Sequence, residues 1–203
     1  MAAKKADRLP APPADLSTRD LPITSVKGPI YRIFRTSRGW DYFGTGKSER
    51  FDDPARKYGV LYAAIRPDAA FAEVFLRTLS SMIVAERDLV DRSLVTIVTR
   101  PLRCVDLLSE GLRKISCDNR VSTEQPYNTT GLWSRAFFEH PAKPDGIIYR
   151  SRHNPDLRCL ALFDRCRPKL RPKNAVIEEL MGTKRRGWTA DQLDKYDLAM
   201  VPL

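Results

Sequence analysis

The chain has 203 residues, 42% of them hydrophobic, and a formal charge of +10 from 35 Lys and Arg against 25 Asp and Glu. That length suits one domain, the apolar fraction can fill a core, and no apolar run approaches the ~20 residues needed to cross a bilayer, which excludes a wholly disordered chain and a helical membrane span. A pI near 9.7 asks for an anionic partner, with nucleic acid the first candidate.

Residues 1–28 read as a flexible N-terminal arm. Pro10, Pro12, Pro13 and Pro22 fall within it, and its apolar residues follow no period. Such a segment buries too little surface to offset its ordering entropy. The folded part opens at Gly28-Pro29, and Ile30 to Phe34 is a short strand. Arg35 to Pro54 is polar, glycine-bearing and aromatic, the composition of a long functional loop. Val60 to Ala64 is a second strand. Asp68 is placed to cap a helix running to about Leu79, with Phe71, Val74, Phe75 and Leu79 on one face. Residues 81–92 continue as helix. Leu94–Val98 and Leu102–Leu107 are strands, and Thr130 caps a helix carrying Leu132, Trp133, Ala136 and Phe137. Ile147–Arg150 and Leu157–Phe163 are the last strands. The terminal helix starts at Thr189, where Thr189 to Gln192 has capping-box spacing. Strands interrupted by two or three helices make an α+β domain with a mixed or antiparallel sheet.

The charge is uneven. Residues 165–186 hold eight Lys and Arg against two Glu, and residues 1–28 hold five against three acids. The excess is thus a basic appendage on a nearly neutral body, and no helix-turn-helix or zinc-finger pattern supports direct nucleic-acid binding. The division expected is an arm over 1–28, a catalytic domain over 29–170, and a basic segment with a C-terminal helix over 171–203. Cys104, Cys117, Cys159 and Cys166 form no C-x-x-C pair and only His140 and His153 accompany them, so no metal site is expected and four free thiols in the cytoplasm are. The N-terminus lacks the apolar stretch of a secretory signal. Gly44-Thr45-Gly46-Lys47-Ser48 imitates a phosphate loop, but Asp41 stands where the pattern needs glycine.

Three places put polar residues beside these strands: Tyr31-Arg32 with Arg50-Phe51 closing the loop, Tyr62 followed by Glu73, and Ser151 to Pro155. Each has an ordinary reading. Arg32 and Arg50 suit a surface, Tyr62 a core with its hydroxyl in water, Glu73 a pair with Arg77 at i+4, and Ser151 and Asn154 a turn.

Together these segments resemble the RES domain family, named for an arginine, a glutamate and a serine. The resemblance runs from about Tyr31 to Phe163 and rests on Val-Leu-Tyr-Ala at 60–63, Ala-Phe-Ala-Glu at 70–73 and Asp-Gly-Ile-Ile-Tyr-Arg-Ser-Arg-His-Asn-Pro at 145–155. It implies an ADP-ribosyltransferase-like fold and an enzyme that consumes NAD⁺ as substrate, with no metal. By the resemblance Arg32 is the family arginine, with Arg35 the competing candidate, Glu73 the glutamate and Ser151 the serine. Arg50, Tyr62 and Asn154 then bind the dinucleotide. Many such domains are toxins, so the resemblance also implies an Xre-type helix-turn-helix antitoxin and a homo-oligomer.

The residue types suit that chemistry. Cleaving the nicotinamide–ribose bond builds positive charge on the ribose, which a placed carboxylate stabilises. Guanidiniums suit a pyrophosphate and an aromatic face suits a cationic ring. Water, phosphate and a protein side chain all remain open as the attacking species. The alternatives are a mono-ADP-ribosyltransferase acting on protein and a basic nucleic-acid-binding protein.

Overall fold

The computed structural model describes residues 8–77 and 81–202. Its centre is an eight-stranded mixed sheet. In chain order the strands are β1 (Ile23–Val26), β2 (Ile30–Arg35), β3 (Val60–Ala64), β4 (Ile83–Ala85), β5 (Arg92–Ile97), β6 (Leu102–Asp106), β7 (Gly146–Arg150), β8 (Arg158–Phe163), β9 (Val176–Glu179) and β10 (Ala199–Val201). The large sheet runs β1-β6-β7-β8-β3-β2-β5-β9, and β4 pairs with β10 in a separate parallel ribbon. Within the large sheet only β6 and β7 are parallel. The helices are α1 (Pro67–Phe75), α2 (Glu86–Val90), α3 (Gly111–Lys114), α4 (Arg120–Thr123), α5 (Asn128–Glu139) and α6 (Arg186–Lys195). The fold is α+β, as the sequence implies.

The central strands read as continuous apolar runs because both faces of the sheet are covered. Successive residues of β8 fall alternately into two clusters. Ala161 and Phe163 pack with Phe71 of α1 and Trp133 and Phe137 of α5. Leu160 and Leu162 pack on the other face with Phe34, Phe43 and Cys166. All four cysteines are buried and free.

One irregularity makes the site. β2 stays in register with β5 from Ile30↔Ile97 to Arg35↔Arg92. It touches β3 only at Tyr31↔Ala64. At the other end of β3, Val60 bonds instead to Gly44 of the long loop, at 2.9 and 2.8 Å. The two central strands therefore part, and a cleft opens between them.

The structure differs from several expectations. The arm is not loose over its described part: Leu9 and Leu16 are buried, and β1 pairs with β6. Trp133 Nε1 donates to Pro10 O at 2.8 Å. His140 Nδ1 accepts from Ala142 N, so its Nε2–H faces the carbonyls of Leu16 and Arg19 at 3.2 and 3.1 Å. A segment pinned by side chains to its backbone needs no period of its own. Residues 1–7 and Leu79 lie outside the described residues. α1 starts at Pro67, one residue before Asp68, which takes Ala69 N and the Arg66 guanidinium instead of capping. The helix expected over 81–92 is β4 followed by α2. α6 starts at Arg186, and Thr189 lies inside it, donating to Leu180 O at 2.8 Å. Thr130 likewise lies inside α5.

The basic segment is not an appendage either. β9 extends the sheet beside β5. Lys169 pairs with buried Asp145 at 2.6 Å, Arg185 with Glu178 at 2.6 Å and Arg167 with Asp41 at 3.2 Å. Arg165 lies 3.8 Å over the Phe138 ring.

Candidate active site

The cleft encloses about 810 Å³. Arg32, Arg50, Tyr62 and Glu73 line it, together with Tyr149, Arg152 and His153.

Glu73 sits near the C-terminal end of α1, facing the end of β7. Ser151, 2% exposed, donates from Oγ to Glu73 Oε1 at 2.6 Å. Tyr149 donates to Glu73 Oε2 at 3.4 Å. Both carboxylate oxygens are thereby oriented. Ser151 is itself fixed, its N–H on Leu157 O at 2.9 Å and its Oγ accepting His153 N at 3.2 Å. Burial, with the Glu73 carboxylate beside it, holds the Tyr149 hydroxyl well above its ordinary range, so it stays a neutral donor. The same two causes keep the Cys159 thiol protonated. Arg77 does not form the expected ion pair with Glu73. Its Nε goes to the Glu73 backbone carbonyl at 2.9 Å, and its guanidinium pairs with Glu49 at 2.7 Å.

Tyr62 belongs to the second wall. Its hydroxyl is not in water: it accepts from Phe51 N at 2.9 Å and donates to Asp52 Oδ1 at 3.1 Å. Loop 50–54 is pressed onto α5, where Thr130 donates to Arg50 O and Ser134 to Phe51 O, each at 2.7 Å. Gly131 permits that approach, since a Cβ there would stand 2.9 Å from Asp52 O. Arg50 is consequently buried. It donates to Glu124 O at 2.9 Å and lies 4.8 Å over the Tyr127 ring. Burial lowers its basicity, opposed by the nearby tyrosines and Glu73.

Arg32 reaches from β2 toward the gap and donates to Tyr42 O at 3.0 Å. Burial pushes its guanidinium down to about 10, against the pull of Asp41 and Tyr42. It stays charged at neutral pH. Arg35 also lines the cleft. Asn154 lies elsewhere: its side chain closes the turn after β7 by accepting Asp156 N at 3.2 Å, and it is not among the cleft-lining residues.

The structure thus brings Arg32, Arg50, Tyr62 and Glu73 to one cleft, buries Ser151 behind Glu73 outside the lining, and leaves Asn154 out of it. Sequence reasoning missed Tyr149, although it lies two residues before Ser151, the same-face spacing of a strand. It also missed how basic the cleft is. Seven arginines line it against three carboxylates, Glu49, Asp52 and Glu73. Among the described residues, no three His, Cys, Asp or Glu side chains converge as metal ligands, and no helix is long and apolar enough to cross a membrane.

Comparison with known proteins places this geometry. A curated relative described as "Probable toxin y4kH", from Sinorhizobium fredii (strain NBRC 101917 / NGR234), is 38% identical over 78 residues, or 38% of this chain. The matched part spans 61% of that relative's length. The fold is similar to a solved structure described as the M. tuberculosis MbcT-MbcA toxin-antitoxin complex, with a TM-score of 0.62 at 18% identity, covering 83% of this chain and 92% of that one. Residues 29–183 match the RES domain. That stretch holds the parted strands, the Glu73–Ser151 pair and the arginine-lined cleft, and the chain belongs to the RES domain family.

Proposed function

We propose that this chain is an enzyme that cleaves the nicotinamide–ribose bond of NAD⁺ and serves as the toxin of a toxin–antitoxin pair. The observation that carries the reading is Glu73, held by Ser151 and Tyr149 at the floor of an arginine-lined cleft. As the C1′–N bond lengthens, positive charge builds on the ribose carbon and ring oxygen. A carboxylate already fixed in place stabilises that charge without reorganising. The nicotinamide ring, cationic before cleavage, meets the aromatic wall at Tyr62. Arg32 and Arg50 suit the two pyrophosphate charges through forked hydrogen bonds.

The toxin part draws on the descriptions of the curated relative and of the MbcT-MbcA complex. They support a partner that holds the enzyme inactive, and an Xre-type antitoxin is the proposed one. The test is NAD⁺ depletion by purified protein, with nicotinamide measured as product. Glu73→Ala is expected to lower turnover at least 100-fold, the usual loss when a preorganised electrostatic group is removed. Undiminished turnover in that variant rejects the site. A wild-type protein inert toward NAD⁺ rejects the reaction.

A further inference from the structure

A second cavity, of about 830 Å³, opens beside the cleft. Glu49, Asp52, Gln125 and Tyr127 line both, so the two spaces are continuous. The carboxylates at this junction are occupied. Glu49 pairs with Arg77 at 2.7 Å, and Asp52 accepts from the Tyr62 hydroxyl at 3.1 Å and from Glu49 N at 3.0 Å. Arg50 lines the cleft and not the second cavity, and its guanidinium lies 4.8 Å over the Tyr127 ring. Tyr127 thus gives one face to a cation, and among the described residues no aromatic ring takes the other. Beyond Tyr127 the cavity wall is apolar, built by Pro54, Pro126 and Leu132. Leu132 is 42% exposed, a large apolar side chain of α5 that the core does not use. Two amides complete the lining. Gln125 Nε2 donates to the Tyr127 hydroxyl at 3.1 Å, which fixes the phenol and leaves the amide oxygen open. Asn128 lies one turn before Leu132 on α5, on the same helix face, and its side chain has no hydrogen bond among the described residues.

From this arrangement we infer that the second cavity is a purine subsite, in which the adenine ring of NAD⁺ stacks on Tyr127 against the apolar wall of Pro126 and Leu132. The inference rests on the NAD⁺-cleaving reading above and extends it to the far end of the substrate. The order of the side chains follows the order of the dinucleotide: Glu73 at the ribose whose bond breaks, Arg50 at the pyrophosphate, and Tyr127 beyond it at the adenosine. A purine is a flat ring with a polar edge. An aromatic ring and apolar side chains take its faces. A carboxamide offers the paired donor and acceptor that the adenine edge requires, and Gln125 and Asn128 are placed to supply it.

The test compares ADP, which carries adenosine and a pyrophosphate but no bond to nicotinamide, with inorganic pyrophosphate. Each is titrated calorimetrically onto the full chain. Wild type is expected to bind ADP about tenfold more tightly than pyrophosphate, the worth of one base–aromatic stack. Tyr127→Ala removes that preference and Tyr127→Phe keeps it. Leu132→Asp, at an exposed position outside the core, lowers it roughly threefold by taking apolar area from the wall. Each value is a ratio of two ligands on one protein, so a shift of Arg50 in a Tyr127 variant acts on both and cancels. A wild type that binds neither ligand or both equally overturns the subsite, as does a preference that survives Tyr127→Ala and Leu132→Asp. Nicotinamide release from NAD⁺ is followed on the same proteins. Release by a wild type without the ADP preference overturns the subsite and leaves the NAD⁺ reading intact. A Tyr127-dependent ADP preference in a protein that releases no nicotinamide overturns that reading and leaves a purine-nucleotide site in its place.

Discussion

The cleft and the segment 165–186 carry similar numbers of basic side chains, seven arginines in one and eight Lys and Arg in the other. The protein treats them differently. In the segment, Arg167, Lys169 and Arg185 each meet a carboxylate, and Arg165 lies against an aromatic ring. In the cleft, Arg77 and Arg92 are paired, with Glu49 and Asp88. Among the described residues, Arg32 and Arg50 donate only to backbone carbonyls, which orient a guanidinium without cancelling its charge. The side chains of Arg35 and Arg152 have no hydrogen-bond or ion-pair partner among the described residues. Cations spent on internal pairs hold the molecule together, whereas cations left uncompensated in a concave space are available to an anionic ligand.

Substitutions can break or sharpen that contrast. Removing a cleft arginine is expected to have the largest effect. Arg32→Ala loses a charge-assisted contact to the pyrophosphate, about 2 kcal/mol or roughly thirtyfold in KM for NAD⁺. A KM within twofold of wild type would put Arg32 outside the binding site. Lys169→Ala acts on stability instead. It leaves the buried Asp145 carboxylate with only the Arg103 N–H, at a cost of about 1.5 kcal/mol, seen as a melting point roughly 5 °C lower. NAD⁺ turnover per folded molecule should stay at the wild-type level, and a specific loss of turnover would erase the distinction between the two regions. The smallest change is expected from Arg167→Ala, whose ion pair with Asp41 is half exposed on both sides. Denaturant titration should register below about 1 kcal/mol, since water screens such pairs. A larger loss would show that the Arg167 contact with the Phe43 ring, at 4.6 Å, outweighs the pair.

Acid unfolding gives a third view of a neutralised arginine. Asp53 is fully buried against Arg135 at 2.6 Å. Burial raises its carboxyl, but the backbone N–H of Lys57, Arg135 and the Ala55 N–H overcome this and hold it below the ordinary value of 3.8. A lowered folded pKa stabilises the protein above the unfolded value, and that stability drains away as pH falls through the folded one. Asp53→Asn should therefore lower stability at pH 7 and flatten its dependence on pH below 4. An unchanged slope in urea titrations across that range would remove Asp53 as the source.

Much of the sheet was legible because it is central. Val60–Ala64 is a strand with the expected bounds, and the runs at 30–34, 94–98, 102–107, 147–150 and 157–163 all fall on strands. Most of their residues are apolar and lie close together in sequence, a signal that survives without context. β1, β4, β9 and β10 carry only three or four residues each at edges or in the small ribbon, where pairing supplies what composition does not. The arm failed for the same reason: Leu9 and Leu16 are buried by partners more than a hundred residues away.

Residue types and their nearness to strand ends were enough to nominate Glu73, Ser151, Tyr62, Arg32 and Arg50, because a carboxylate, an aromatic face and guanidiniums are what a cationic sugar and a pyrophosphate require. The sequence also determined the overall class, since several short apolar, β-branched or aromatic runs between turn residues, interrupted by a few helical stretches, read as the strands of an α+β domain. Tertiary structure alone decided that β2 and β3 part after one pair, that Tyr149 joins Ser151 on Glu73, and which arginines are left without a carboxylate partner. Those outcomes depend on distances between segments far apart along the chain. Electrostatic interaction falls with separation in space, and spacing in sequence does not report it.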